Sequence, residues 1–108
     1  MGGEFKEVQV VEMETWVDDD KCTFCVDRET RPDVALIHLD VRKWSHTLFK
    51  NYYLPAWHEI LERLKEEGAH SVCAIIPAND KKVSKFHAML GMYEAYNDGT
   101  HRINRRWL

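Results

Sequence analysis

The sequence is short of residues that cross-link a chain or interrupt its secondary structure. Its 108 residues include five glycines, three prolines and three cysteines. Cys22 and Cys25 have the Cys-x-x-Cys spacing, but no second Cys or His pair follows that would complete a four-ligand zinc site. Residues three apart in a strand also point to opposite faces of the sheet. We therefore expect Cys22, Cys25 and Cys73 to be reduced thiols, with no bound metal.

Long apolar segments are missing as well. No uncharged apolar run is long enough to cross a bilayer. The N-terminus, beginning at Met1, lacks the charged start and apolar stretch of a secretion signal. These features predict a soluble, cytoplasmic protein with no membrane partner.

The chain also has no excess of positive charge. It carries 15 Lys and Arg residues against 18 Asp and Glu residues, a net charge of −3 with neutral histidines. A nucleic-acid partner is therefore disfavoured, although Arg102, Arg105 and Arg106 form a local basic cluster. The hydrophobic fraction of 44% and the charged fraction of 31% are typical of a folded protein. The length predicts a single domain over residues 1–108.

Strand patterns dominate the first part of the chain and its end. Residues 5–17 alternate and are rich in Val, Thr and Trp, with a change of parity that predicts either a bulge or a strand with both faces partly covered. An acidic turn at 18–20 leads to a second strand over 21–27, which we expect to pair with the first as a hairpin. The strongest strand pattern is Val34–Val41, whose apolar first half predicts a central strand covered on both faces. An Asn-Asp-Gly turn at 97–99 predicts a last hairpin.

A long helix is predicted after the central strand. Apolar residues recur at helical spacing from Phe49 to Leu64. Pro55 lies off this stripe, where it either kinks the helix or begins its second half. Gly68 is placed to end the helix.

A second strand and helix follow. Residues 71–76 are apolar and predict a buried strand parallel to the central one. Asn79 or Asp80 can cap a helix whose apolar stripe runs over residues 83–90, and Gly91 is placed to end it. The predicted order is β-β-β-α-β-α-β-β, an α/β (α+β) domain.

Several of these features resemble the second half of the GNAT (Gcn5-related N-acetyltransferase) superfamily. In that family the second helix closes in an aromatic-Tyr-x-x-Leu-Gly-Phe pattern, which reads Phe-His-Ala-Met-Leu-Gly-Met here. The resemblance covers about residues 33–96 and rests on the order and spacing of Val34–Val41, the helix ending at Gly68, the strand at 71–76, Asn79 and the run 86–92. It implies a truncated GNAT-like fold, with a central mixed, mostly antiparallel sheet, a long helix after the central strand and a second helix.

The sequence departs from the family pattern in three ways. The family's phosphate-binding turn contains glycines that let backbone N–H groups approach a diphosphate, whereas residues 42–47 contain none and place Trp44 and His46 where the anion would lie. The usual Tyr of the closing helix is His87. The family's first strand and two acceptor-binding helices have no counterpart in the sequence.

Short, glycine-poor versions of this fold are similar to small proteins of tailed phages, some of them associated with virions. The start of the long helix, from Ser45 to Lys50, is similar to theirs. This second resemblance implies a viral protein located in the host cytoplasm or in the virion.

The GNAT resemblance implies acetyl-CoA as the cofactor and assigns roles to individual residues. His87 takes the position of the acid that meets the departing thiolate, and His38 is a candidate base if its side chain faces the cleft. The implied cofactor-binding residues are the backbone of Leu39 and Val41, the donors Arg42, Lys43, Ser45 and Thr47 beneath the diphosphate, and Asn79.

Each assignment has a structural alternative. His87 and His38 can be histidines packed on a helix and a strand. Arg42 and Lys43 can form a solvated strand end, and Asn79 can be a helix cap.

Two functions stay open from the sequence. One is an acetyl-CoA-dependent N-acetyltransferase acting on an amine or a protein lysine. The other is a catalytically degenerate GNAT-fold protein, a pseudoenzyme that binds a protein as a virion component or as an inhibitor of a host factor. Both imply a protein partner or protein substrate, and uncovered sheet edges would also allow a homodimer. An open cleft between Val41 and Ser71 favours the enzyme, whereas a cleft plugged by Trp44 or His46 beside an exposed apolar patch elsewhere favours the binding protein.

Overall fold

A six-stranded sheet organises the chain. The computed structural model describes residues 13–31 and 33–108. The strands are β1 (Glu14–Asp18), β2 (Cys22–Asp27), β3 (Val34–Val41), β4 (Ser71–Pro77), β5 (Tyr93–Asn97) and β6 (His101–Trp107). Their spatial order is β1-β2-β3-β4-β6-β5. Among these strands β3 and β4 are parallel and the other neighbours are antiparallel, which confirms the mixed, mostly antiparallel sheet.

The long helix is built in three continuous parts. They are α1 (His46–Leu48), a π-helical turn (Phe49–Tyr53) and α2 (Leu54–Glu66). The N–H of Leu54 bonds the carbonyl of Phe49, five residues back, and Pro55 lies in the first turn of α2. Because proline has no N–H to donate and its ring crowds the carbonyl of the preceding turn, the change to bonding five residues back just before Pro55 lets the helix continue past it. Pro55 therefore begins the second half of the helix.

The second helix, α3 (Lys81–Met89), begins at Asp80, whose side chain accepts a hydrogen bond from the N–H of Val83 at 3.1 Å. Of the two predicted caps, Asp80 is the one that the structure uses. The tail forms the predicted hairpin of β5 and β6, with Gly99 at a positive φ of 88° in its turn.

Both helices pack on one face of the sheet. The core on this face joins α2, α3 and strands β2, β3 and β4 through Phe24, Val26, Ala35, Ile37, Trp57, Leu61, Leu64, Val72, Ala74, Leu90 and Met92. The indole N–H of Trp57 and the guanidinium of Arg106 both donate to the carbonyl of Leu90, each at 2.9 Å. These two bonds tie α2 and β6 to the end of α3.

The other face of the sheet carries a smaller apolar cluster and, within the described residues, no helix. Val34, Leu36, Cys73 and Ile103 form its buried part. Since β3 contributes to both clusters, its first half is covered on both faces, as its apolar run predicts.

The predicted strand at 5–17 lies only partly within the described residues. From Glu14 onward the strand is present and pairs with β2, with an irregularity between Thr15 and Val17. The residues that carry the predicted change of parity fall mostly at positions 8–12, outside the described part of the chain.

Over residues 13–31 and 33–108, no helix has the length and apolar character needed to cross a membrane.

Two glycines offer a matched test of the contact at the end of α3. Gly68 and Gly91 both have positive φ, 97° and 83°. A Cβ on Gly68 meets nothing within 4 Å, whereas one on Gly91 would lie 2.4 Å from the guanidinium of Arg106. We expect Gly68→Ala to lower the free energy of unfolding by about 1 kcal/mol through backbone strain alone. Gly91→Ala should cost about 1 kcal/mol more, because Arg106 must leave the Leu90 carbonyl.

Urea denaturation of the two single variants measures the difference. Equal losses of stability would show that Arg106 moves aside at no cost and that its bond to Leu90 contributes little.

Candidate functional site

The two parallel strands separate soon after they meet. Pairing of β3 with β4 covers only Val34 to Leu36 against Ser71 to Cys73. Beyond these positions β3 continues to Val41, while β4 continues to Pro77 paired with β6. A notch therefore opens between the carboxyl ends of the two strands.

The backbone of β3 faces this notch at alternate residues. The N–H of Arg42 donates to the carbonyl of Lys21 at 2.8 Å, and the β2–β3 register continues from there. Because hydrogen bonding alternates along an antiparallel pair, Asp40 is bonded to β2, and Leu39 and Val41 direct their N–H and C=O groups away from β2. These are the two residues implied to pair with pantetheine, and that role stays a prediction.

A cleft of about 550 Å³ lies beside the notch and opens to solvent. Its walls come from the end of β3, the turn that follows and one side of α3, including Leu39, Val41, Arg42, Trp44, Phe86 and His87. The cleft is mainly apolar with charged groups at its rim, which is the composition of a small-molecule site.

Trp44 forms a wall of this cleft. Its ring centroid lies 5.3 Å from that of Phe86 and 5.4 Å from that of Phe49, and its ring is stacked on Tyr53 at 6.4 Å. The side chain is 44% exposed. His46 also lies along the wall, with its ring 6.0 Å from Trp44. The two bulky residues of the glycine-free turn thus leave the cleft open.

The two cations predicted to hold a diphosphate are paired with the acidic turn between β1 and β2. The guanidinium of Arg42 donates to the hydroxyl of Thr23 at 2.7 Å and lies 3.4 Å from the carboxylate of Asp18. The ammonium of Lys43 lies 2.9 Å from the carboxylate of Asp20. All of these groups are exposed, so each ion pair is weak and open to competition by another anion.

The acidic turn is itself held in place by the long helix. The hydroxyl of Tyr52 donates to the carboxylate of Asp19, and this bond, with backbone N–H donors from Cys22 and Lys21, lowers the pKa of Asp19 to about 2. The same bond raises the pKa of Tyr52 well above its ordinary value. The carboxylates of this turn are therefore presented to Arg42 and Lys43 from a fixed position.

Other residues implied as cofactor ligands lie outside the cleft wall. Ser45 caps α1, its hydroxyl accepting from the N–H of Leu48 at 3.0 Å. Thr47 is exposed on α1, and Asn79 is exposed next to the cap residue Asp80. Their roles as ligands stay predictions.

Sequence reasoning missed two cleft residues, Lys82 and Lys85. Both are exposed on α3 and line the cleft. The sequence shows a basic cluster at these positions. It contains no local signal that β4 separates from β3, and this separation is what brings α3 to the rim of the cleft.

His87 is the most buried polar side chain of the cleft, only 3% exposed. Its Nδ1 lies 3.0 Å from the side-chain nitrogen of Asn104 on β6. Burial is the main reason that its pKa is lowered to about 4. The positive charge of Arg102 lowers the pKa further, and Asp80 raises it by more than His38 lowers it. At neutral pH His87 is therefore an uncharged imidazole, which can still donate one hydrogen bond.

His38 lies on the other side of the sheet. It follows Val34 and Leu36 on the helix-free face, and its side chain is exposed. It is close enough for its charge to act on His87. The two candidate catalytic histidines therefore lie on opposite faces of the sheet, and the side chain of His38, unlike that of His87, does not line the cleft.

A search of solved structures gives three informative likenesses. A domain from Methanocaldococcus jannaschii DSM 2661 superposes with a TM-score of 0.61 and 19% identity, covering 82% of this chain and 56% of that one. A structure described as a candidate phosphinothricin N-acetyltransferase superposes with a TM-score of 0.56 and 20% identity, covering 82% of this chain and 63% of that one. The GNAT domain of PAT from S. lividans superposes with a TM-score of 0.55 and 17% identity, covering 82% of this chain and 54% of that one.

The chain has the GNAT fold. It spans between about half and two thirds of the length of each of these structures. Scans against protein-family profiles and against curated proteins found no match. The predicted truncated GNAT-like fold is confirmed, and the resemblance to phage proteins stays a prediction.

In the GNAT fold of this chain, the buried histidine makes stability depend on pH. Its folded pKa of about 4 lies below the ordinary value of 6.5, so the unfolded chain binds the proton more readily. The stability that His87 contributes is complete above pH 6.5 and is lost as the pH falls toward 4, by roughly 3 kcal/mol in total.

Urea denaturation between pH 7 and pH 4 measures this loss, with His87→Gln as the variant and the exposed helix residue His58→Gln as the control. The loss should shrink in His87→Gln and persist in His58→Gln. Parallel curves for all three proteins would contradict a buried, neutral His87.

Proposed function

We propose that the protein binds acetyl-CoA in this cleft and transfers the acetyl group to an amine, with a protein lysine as the candidate acceptor. The observation that carries the proposal is the early separation of β3 from β4. Within the described residues it leaves Leu39 and Val41 with unpaired backbone groups, along an open cleft of about 550 Å³. An extended pantetheine chain needs such an edge, because its amides hydrogen-bond as a strand does.

The cations around the cleft suit the charged end of the same ligand. Lys82 and Lys85 line the cleft from α3, and Arg42 lies at its rim. Ammonium and guanidinium groups are the usual protein partners of phosphate. They would compensate in part for a phosphate turn that lacks glycine.

The chemistry would use the two histidines on opposite faces of the sheet. Acetyl-CoA supplies an activated acyl group, and the amine approaches from the helix-free face. His38 accepts the proton that the amine loses as its nitrogen bonds the acyl carbon. The carbon–sulfur bond then breaks, and the neutral ring of His87 donates a hydrogen bond to the departing thiolate.

A second candidate, protein binding without catalysis, is favoured by a separate observation. Tyr93, Tyr96 and Trp107 are all exposed at the β5–β6 end of the sheet. The guanidinium of Arg105 lies 5.0 Å from the ring of Trp107. Exposed aromatic residues beside an arginine are typical of protein interfaces.

Calorimetric titration with acetyl-CoA separates the two candidates. We expect a dissociation constant in the micromolar range, about −8 kcal/mol. Replacing Lys82 and Lys85 by alanine should weaken binding about tenfold, as expected for the loss of two exposed charge contacts. The matched control is Lys50→Ala/Lys65→Ala, which removes two exposed lysines that do not line the cleft.

Equal binding by the two double variants would place the cofactor elsewhere. No heat of binding at millimolar acetyl-CoA would reject the proposed activity and leave protein binding as the function to pursue.

The acidic turn should compete with the cofactor for the same cations. In Asp18→Asn/Asp20→Asn the side chains of Arg42 and Lys43 lose their carboxylate partners on this turn. We expect acetyl-CoA to bind about fivefold more tightly, since each exposed ion pair is worth up to about 1 kcal/mol. Glu59→Gln/Glu62→Gln on the exposed side of α2 makes the same change in net charge and serves as the control. A similar gain in both variants would mean that net charge alone controls affinity.

A further inference from the structure

A line of hydrogen bonds, buried at Asn104 and His87 and partly exposed at Arg102, connects β6 to the cleft. The Nε of Arg102 lies 2.7 Å from the side-chain oxygen of Asn104. The side-chain nitrogen of Asn104 lies 3.0 Å from the Nδ1 of His87. Asn104 is 1% exposed and His87 is 3% exposed, so water does not replace these contacts.

The chemistry of the three side chains fixes the position of every proton along the line. A guanidinium can only donate, so the Asn104 atom that faces Arg102 must be its oxygen. The amide nitrogen then faces His87, and since it can only donate, Nδ1 must accept with its lone pair. A neutral imidazole with an accepting Nδ1 carries its proton on Nε2.

We propose that Asn104 is a positioning residue that, aligned by Arg102, holds His87 as the Nε2–H tautomer and so gives the cleft a hydrogen-bond donor. His87 lines the cleft, and within the described residues its Nε2 makes no hydrogen bond to protein. The catalytic meaning of this donor rests on the proposed function, in which it meets the departing thiolate. The tautomer itself does not rest on it.

The same arrangement opposes a positive charge on the ring. A proton on Nδ1 would point at the N–H₂ group of Asn104, which has no acceptor to offer. The nearby charges of Arg102 and His38 oppose it as well, and Asp80 favours it. The lowered pKa of His87 agrees with this geometry.

Nitrogen NMR of the histidine rings in the ligand-free protein tests the tautomer directly. At about pH 8, long-range proton–nitrogen spectra should show a protonated Nε2 and an unprotonated Nδ1 for His87, assigned by the signals lost in His87→Gln. In Asn104→Asp the neighbour becomes a carboxylate, which can only accept, so the proton of the neutral ring should move to Nδ1. Ser84→Ala is the control, because it removes only the 3.5 Å bond from the Asn104 nitrogen to the Ser84 hydroxyl and leaves the 2.7 Å bond from Arg102 that fixes the amide oxygen.

A protonated Nδ1 in the unaltered protein, or an unchanged tautomer in Asn104→Asp, would overturn the proposal. If Asn104→Asp does not fold, Arg102→Met gives a second test. Without the guanidinium the amide can rotate, and a measurable population with a protonated Nδ1 is expected. No such population would show that Arg102 does not align Asn104.

Kinetics and binding separate this proposal from the proposed function. If acetyl transfer occurs, Asn104→Asp should lower kcat by roughly 100-fold, as expected for the loss of one donor to the reacting group, with little change in KM for acetyl-CoA. Arg102→Met should lower kcat by less, in proportion to the population with a protonated Nδ1. If acetyl-CoA does not bind the unaltered protein, the proposed function fails while the ring spectra still decide the tautomer. If it binds and the spectra show a protonated Nδ1, the positioning role alone fails.

Discussion

The short pairing between β3 and β4 is the constraint on which the rest of the site depends. Parallel strands that stay in register would satisfy each other's backbone groups and close the space between them. Here the pairing extends only from Val34 to Leu36 on β3. β4 keeps an antiparallel partner, β6, along its whole length, so the sheet stays intact on that side. Within the described residues, the backbone left without a strand partner at this notch therefore lies on β3 after Leu36 and on the facing edge of β4 after Cys73.

The glycine-free turn is compatible with this cleft because it is held by aromatic packing. Trp44 lies against Phe49, Tyr53 and Phe86, and the hydroxyl of Tyr53 lies 2.6 Å from the carbonyl of Lys43. A glycine turn gives an anion access to backbone N–H groups, whereas this turn directs its side chains sideways onto α3 and the long helix. Under the proposed function, anion binding would then depend on side-chain cations, and Lys82 and Lys85 are the lysines that line the cleft.

The element order was predictable because its signals are local. The apolar run of Val34–Val41, the helical stripe from Phe49 to Leu64 and the Asn-Asp-Gly turn each depend on neighbours within one element. The pairing of Arg42 with Asp18, 24 residues apart, and of His87 with Asn104, 17 residues apart, depends on sheet register instead. Nothing in the local sequence around Arg42 or His87 indicates which residue it contacts in the fold. For the same reason His87 could be named as a candidate from the sequence, but its charge state and tautomer could not.

Under the proposed function, His87 stands where the GNAT pattern has a tyrosine, and this difference changes less than the residue names imply. The hydroxyl of a tyrosine is neutral near pH 7 and donates one hydrogen bond. An exposed histidine would be partly charged at that pH, and either ring nitrogen could carry the proton. Burial removes the charge, and the fixed amide of Asn104 selects the nitrogen. The buried imidazole then offers what a phenol offers, a single neutral donor at a fixed place in the cleft, which is why a histidine can occupy this position without a new chemistry.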